Sequence, residues 1–431
     1  MLIKLLQLYL YWLSKIILRR HKPVIIGITG SIGKTSARDA VFTVLSSQFS
    51  IWRGEKGKNY NNEIGAPLVI LGARHHGRNL FGWIGVFFIF LRRLFSGSYP
   101  KLLILEMGVD HPGDMDYLVN LAPPAIAVIT GIGKIPVHVE YFENPEAVLA
   151  EKAKILNALT QNGKAILNAD DKNVLMLKEK SRAPVLTYGM GETADVGVEE
   201  FRVFFRDEHG IKIPDGVVFK IRYQGALIPV RLSGALAKTQ ALAAAAGFCA
   251  GIVFGMNPVA IAEALAEFRP PPGRMRILKG NKRTIIIDDT YNAAPAAMEA
   301  ALETLASLPA KRKIAVLGDM LELGAYTEEA HRKIGRMIPP SADILFTVGT
   351  RSRFIEEEAL RSGFFESQVR HAADSREVES MLEPMLEPGD MVLVKGGQGM
   401  RMERVVLAIM AEPEKAHELL VRQSVDWKKK L

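Results

Sequence analysis

Thr29-Gly30-Ser31-Ile32-Gly33-Lys34-Thr35-Ser36 combines residue types suited to one task, holding a polyphosphate. Glycines let successive backbone N–H groups converge on an anion, a lysine neutralises it, and the hydroxyl beside the lysine is placed to reach Mg²⁺ on the phosphates. The spacing is unusual. Five residues separate Gly27 from Gly33 and two separate Gly30 from Gly33, so the stretch must be judged by its surroundings. A second chemical position is Glu106, which closes the apolar run Leu102-Leu103-Ile104-Leu105. A carboxylate at the carboxyl end of a buried strand lies where open α/β sheets bind ligands, within reach of the cation that Thr35 would touch.

The flanking residues supply the expected frame. Val24-Ile25-Ile26-Gly27-Ile28 reads as a buried strand, and Ala37, Ala40, Val41, Val44 and Leu45 form the single apolar stripe of the following helix. Further strands are expected at 125–130 and 165–167, short antiparallel strands over 196–232, and helices over 235–254 and 258–268. Pro270-Pro271-Pro272-Gly273 reads as a linker, after which βα alternation restarts with strands near 284–289, 313–318, 344–349 and 391–396. The expectation is therefore an α/β chain: an amphipathic helix over 1–22, a central P-loop ATPase domain over 23–269 with a mostly parallel sheet, and a Rossmann-like α/β domain over 274–431. Such a pair places its ligand in the cleft between domains.

Composition narrows the partners. The chain has 431 residues and a net charge of +8, with 48% hydrophobic and 24% charged residues. That charge suits anionic substrates or an acidic membrane face, but the basic residues are dispersed, so nucleic acid is not the expected partner. One cysteine, Cys249, excludes an intrachain disulfide or a cysteine-rich zinc module and fits a reducing cytoplasm. Residues 2–18 are apolar with a polar stripe (Lys4, Gln7, Tyr11, Ser14, Lys15), which suits a helix lying in a membrane interface or one packed on the ATP-binding domain. Residues 80–91 are apolar but too short to cross a bilayer, leaving a core helix or an interfacial hairpin.

Taken in order, these pieces resemble the Mur ligase family, the ATP-dependent amide ligases of peptidoglycan precursor synthesis. The phosphate loop, Asn61-Asn62-Glu63-Ile64-Gly65, Glu106-Met107-Gly108, His138-Val139-Glu140, Asp288-Asp289-Thr290-Tyr291-Asn292-Ala293, Gly318-Asp319-Met320-Leu321-Glu322-Leu323-Gly324 and Val394-Lys395-Gly396 carry the likeness. The resemblance implies an acyl phosphate made from ATP and a peptide carboxylate, which an amine then opens. The expected substrates are a UDP-linked muramoyl tripeptide and D-alanyl-D-alanine. The resemblance also implies that residues 30–36, Arg274 and Asn292 hold ATP, and that Thr35 and Glu106 bind one Mg²⁺. His138 would bind a second Mg²⁺ together with Lys152, a lysine carbamylated by CO₂ in the family; Lys154 is the nearby alternative. Asn61, Asn62 and Lys395 are expected at the substrates.

Four departures from the family pattern bear on substrates rather than on chemistry. Only 26 residues precede Gly27, so the family's UDP-gripping N-terminal domain is expected to be missing, with residues 2–20 as its connecting helix. Gly234-Ala235-Leu236-Ala237 replaces a Gly-Arg-His-Asn run, and only Gln240 is left near the place of a second family asparagine, so the family's adenine contacts do not carry over. Tyr291-Asn292-Ala293-Ala294 lacks a final asparagine. Lys395-Gly396-Gly397-Gln398 lacks an arginine, for which Arg401 is the available substitute. Two alternatives follow. One is the same chemistry on a lipid-linked or other peptide carboxylate, with the enzyme peripheral at the inner membrane face; the other is a non-catalytic nucleotide-binding scaffold.

Overall fold

The computed structural model describes residues 2–54, 60–77, 79–208, 210–424 and 427. Its first sheet has nine strands: β1 (Val24–Thr29), β2 (Ile51–Trp52), β3 (Leu102–Glu106), β4 (Ile126–Ile129), β5 (Lys164–Asn168), β6 (Val185–Gly189), β7 (Val196–Glu208), β8 (Ile211–Tyr223) and β9 (Ala226–Ser233). Their spatial order is β2-β3-β1-β4-β5-β6-β7-β8-β9. Pairing is parallel from β2 to β7 and antiparallel through β8 and β9, as the alternation over 196–232 implies. Because β1 lies between β3 and β4, the chain leaves it at a topological switch point. The crevice outside its carboxyl end is where such sheets bind ligands.

Among the described residues nine helices accompany this sheet: α1 (Leu2–His21), α2 (Lys34–Ser46), α3 (Gly65–Leu71), α4 (Leu80–Phe95), α5 (Asp114–Leu121), α6 (Pro145–Asn157), α7 (Lys172–Leu175), α8 (Lys238–Val253) and α9 (Pro258–Leu265). On one face α2 and α8 cover Ile26, Ile28, Ile104 and Val128. The alanines of α8 let the two helices approach closely. A Cβ on Gly247 would stand 3.0 Å from the Ala40 backbone. The opposite face is covered by α1, α3, α4, α5 and α6. Helix α8 starts three residues later than expected. Ala237 adopts φ 80°, outside the helical region, and Ala235 instead forms an antiparallel bridge to Arg276.

The second sheet comprises β10 (Arg276–Lys279), β11 (Ile285–Asp289), β12 (Arg312–Gly318), β13 (Ile344–Val348), β14 (Val369–Ala372) and β15 (Asp390–Lys395), in the order β10-β11-β15-β12-β13-β14. All pairs are parallel except β10 on β11. The proline run does not dangle between the sheets: Gly273 N–H donates to Asp288 (3.0 Å) and its carbonyl accepts from Tyr291 N–H (3.1 Å).

Helix α1 packs on the first sheet through Leu10, Leu13 and Ile17, and Ser14 Oγ donates to the Pro67 carbonyl at 3.3 Å. Residues 80–91 belong to one helix, α4, half core and half exposed: Trp83, Val86 and Phe90 are buried, whereas Phe81, Ile84 and Phe88 are not. Among the described residues, no helix is long and apolar enough to cross a membrane.

Candidate active site

The phosphate loop needs glycine at two positions for different reasons. Gly30 lies against β4's exit, where an added Cβ would stand 2.1 Å from Thr130 Oγ1; Gly33 has free space but holds φ 80° at the head of α2. The loop is tied down on one side, with Ser31 and Ile32 N–H both donating to the Gly131 carbonyl (2.8 and 2.9 Å). Lys34 Nζ folds back onto the Gly30 carbonyl at 2.7 Å. Burial and the nearby Arg274 push its ammonium down from its ordinary pKa, opposed by Glu106 and Asp110. This is an under-compensated cation, suited to an incoming anion.

Strand pairing sets Glu106 beside Ile28 in register, so the carboxylate emerges next to the loop. Thr35 Oγ1 donates to it at 3.2 Å, and the Arg38 guanidinium stands 3.4 Å away in an ion pair shared with Asp39. From the second sheet's side Arg274 reaches over. Its Nη2 donates to Thr35 Oγ1 at 3.4 Å, and its guanidinium stacks 3.9 Å from the centre of the Tyr291 ring. Between the two domains lies a narrow cleft of about 40 Å³ lined by Ile32, Gly33, Gln240, Arg274, Asp289 and Lys395, among others. Ser31 Oγ, Gln240 Oε1 and Arg274 Nε, which stand at or beside this cleft, are buried without a hydrogen-bond partner among the described residues. Buried polar atoms in native proteins are normally paired, so this cluster of orphans is what a polar ligand would satisfy.

The loop after β3 joins the remaining candidates. Asn61 packs so closely on Gly108 that a Cβ there would stand 2.5 Å from its side-chain nitrogen, and Gly108 N–H donates to the Asn61 carbonyl at 2.9 Å. Asp110 faces His138 Nε2 at 3.2 Å. His138 Nδ1 faces Glu322, from the second sheet's side, at 2.8 Å. His138 and Glu322 both hold left-handed φ (70° and 63°) at this seam. Glu140 N–H also donates to the Glu322 carbonyl at 3.4 Å, so two residues of the His138-Val139-Glu140 motif meet a residue of another motif across the domains.

Lys152 lies on α6, 1% exposed, with the Val109 carbonyl at 3.5 Å as its hydrogen-bond acceptor. Among the described residues, no carboxylate pairs with it within 4.0 Å. Burial, with Lys34 nearby, pushes its ammonium down to about 7. Neighbouring Glu151 is occupied, accepting from Gly113 and Met115 N–H (3.0 Å each) and pairing with Lys154 at 2.7 Å. Lys154 also pairs with Asp116 at 2.6 Å on the surface. The two lysines are therefore chemically distinct: one buried and poorly compensated, the other solvated and saturated.

Several expected site residues have structural partners. Asn62 caps the turn into α3, accepting from Gly65 N–H at 2.9 Å. Lys395 is buried against Asp289 (2.6 Å) and the Asn292 carbonyl (2.9 Å), and Asn292 Oδ1 accepts from Gln398 N–H at 3.3 Å. Arg401 is bound to Glu403 at 2.6 Å and to the Trp427 carbonyl at 2.9 Å, so it is committed to the fold rather than left to replace the missing arginine. Arg38 was missed by sequence reasoning. Its one available signal was a charged residue within the apolar stripe of α2.

Residues 28–247 match the Mur ligase middle domain, and residues 273–398 match the Mur ligase glutamate ligase domain. The chain belongs to the Mur ligase family. Among its relatives is the UDP-N-acetylmuramoyl-tripeptide–D-alanyl-D-alanine ligase of Bacillus subtilis, 30% identical over 404 residues, 93% of this chain and 79% of that protein. The enzyme of the same name from Mycobacterium tuberculosis is 31% identical, covering 90% of this chain and 73% of that protein. A solved MurF ligase from Thermotoga maritima in complex with ADP superposes with a TM-score of 0.76 at 25% identity, covering 95% of this Mur ligase and 84% of that chain.

Proposed function

We propose that this Mur ligase adds D-alanyl-D-alanine to the peptide carboxylate of a UDP-N-acetylmuramoyl tripeptide, driven by ATP. The observation that carries the reading is the cleft, with the phosphate loop (Ile32, Gly33 and Ser36) on one wall, Arg274 and Gln240 on the other, and unpaired polar atoms at or beside both. The names of the similar enzymes support the substrates. In the first step the carboxylate oxygen attacks the terminal phosphorus, forming an acyl phosphate and ADP. In the second the amine of D-alanyl-D-alanine attacks the acyl carbon, losing a proton and expelling inorganic phosphate. Phosphoryl transfer asks mainly for positioning and charge neutralisation, which Lys34 and Arg274 supply. Closure of the two domains keeps water from the acyl phosphate.

Thr35 and Glu106 fit Mg²⁺, which favours a carboxylate and oxygen donors, with phosphates and water completing its shell. When bound, the ion would neutralise charge on the phosphates. Among the described residues no cluster of three or more acidic, histidine or cysteine side chains would hold a metal alone. A carbamate on Lys152 is also our proposal: the neutral amine adds CO₂ and releases one proton, converting a buried cation into an anion. His138 fits a second metal less well, because carboxylates face both its ring nitrogens.

The direct test is phosphate release by the purified chain with ATP and both substrates. Release that depends on both supports the reading, and release with neither, or none at all, overturns it. Arg274→Ala is expected to lower kcat about 10²-fold with a smaller change in KM for ATP, measured by the same assay. Gln240→Leu is expected to raise KM for ATP about tenfold, the worth of a buried hydrogen bond, with kcat nearly unchanged. A second reading, the same chemistry on a lipid-linked acceptor, is favoured by the exposed apolar faces of α1 and α4.

A further inference from the structure

Helices α1 and α4 lie side by side, joined near their carboxyl ends by His21 Nε2 and the Arg93 carbonyl at 2.9 Å. Each is buried along one face and leaves an apolar stripe in solvent along the other. On α1 the stripe is Leu5, Leu8, Trp12 and Ile16; on α4 it is Phe81, Ile84, Phe88 and Phe95. These eight side chains are between 41 and 84% exposed. Spacings of three, four and seven place each set on one side of its helix. Soluble proteins rarely leave so much contiguous apolar surface without a partner.

The charges around the stripes indicate the partner. Neither helix contains an aspartate or glutamate, although the chain carries 47 acidic residues. Arg19, Arg20 and His21 occupy the last turn of α1, with Lys22 beyond; Arg92 and Arg93 occupy the last turn of α4. The result is an aromatic and aliphatic surface with a basic border and no opposing charge. A second copy would bring like charges together, which disfavours self-association through this face. Neither helix can span a bilayer, but an amphipathic helix with a basic rim lies in the interfacial plane, with tryptophan at headgroup depth.

We infer that the α1–α4 face docks this enzyme on an anionic lipid bilayer, apolar stripes among the acyl chains and arginines against lipid phosphates. The inference goes beyond the ligase reading and holds for either acceptor. Docking would also place the reaction close to the membrane, since α3, against which α1 packs, begins at the Asn61-Asn62 turn of the candidate site.

Co-sedimentation of the full chain with phosphatidylcholine vesicles, with and without phosphatidylglycerol, tests this. Binding is expected to be at least tenfold stronger with phosphatidylglycerol and to weaken in high salt. Combined Phe81→Glu and Phe88→Glu should reduce binding at least tenfold, with ATP turnover in solution unchanged. Leu5→Gln with Leu8→Gln probes the same face from α1, should the first pair impair folding. Absence of vesicle binding by the parent chain would overturn the inference. So would binding untouched by both variants, or a dimer in light scattering that the same variants dissociate. Loss of the ligase reaction alone would leave docking standing, so the two readings fail separately.

Discussion

Lys34→Ala is expected to lower ligation at least 10³-fold while shifting the melting temperature by no more than about 2 °C. The asymmetry follows from what Lys34 touches. In the protein alone its ammonium has the Gly30 carbonyl as hydrogen-bond partner, and Arg274 opposes its charge. Removing it therefore breaks one bond within a single turn and relieves the cost of burying a cation beside Arg274; it also gives up the attraction to Glu106, which keeps Thr35 and Arg38 as partners, so the fold is barely affected. With ATP in place, the same group would face the phosphate oxygens in a cleft where water is scarce. Charge neutralisation counts most in such surroundings, because the protein supplies it without the reorganisation water would need. Phosphate release and thermal denaturation on one preparation check both halves. Near-parental turnover would remove Lys34 from the reaction, whereas cellular function untouched by the same substitution would favour the nucleotide-binding scaffold.

The phosphate loop, the central parallel strands of both sheets and the antiparallel edge were legible in the sequence because each rests on local regularities, whereas the short strands β2, β6, β10 and β14 were not. A β-branched run, two glycines with distinct backbone needs and one apolar stripe suffice for the loop and its helix. What could not be read was how polar residues pair over long separations. Lys395 and Asp289 stand 106 positions apart, yet their 2.6 Å ion pair determines what that lysine does. The same holds for His138 between Asp110 and Glu322, and for Arg401 between Glu403 and Trp427. Residue type alone marks such groups as able to bind a substrate. Whether they are free to do so depends on partners brought up by the fold. Asn62 differs, since its bond to Gly65 spans three residues and an asparagine before a short helix is a common cap. Helix α4 is one continuous helix and not a hairpin, core along one face and exposed along the other, as an amphipathic helix can be.

Lys152 offers a sharper experiment, because its two proposed properties, charge and volume, can be changed separately. Lys152→Met keeps most of the buried stem and removes the nitrogen. It is expected to fold at least as stably as the parent, since it removes a cation buried to 1% exposure without a carboxylate in contact, yet to lose about 10²–10³-fold in kcat. Lys152→Ala should lose as much activity, and also stability through the cavity it opens. Added formate or acetate should recover part of the activity in the alanine variant, where the vacated space can hold a small carboxylate, but not in the methionine variant. The parent chain carries a matching pH signature. Only the neutral amine adds CO₂, and with its ammonium pushed down to about 7, the neutral fraction rises from about a tenth at pH 6 to about nine tenths at pH 8. Carbamate carbon detected by NMR with labelled bicarbonate should therefore increase with pH across that interval in the parent and be absent from both variants. An ordinary surface lysine would remain almost wholly protonated there, so Lys154→Ala should leave the signal in place. Full activity in Lys152→Met would refute the carbamate, whatever else the site does.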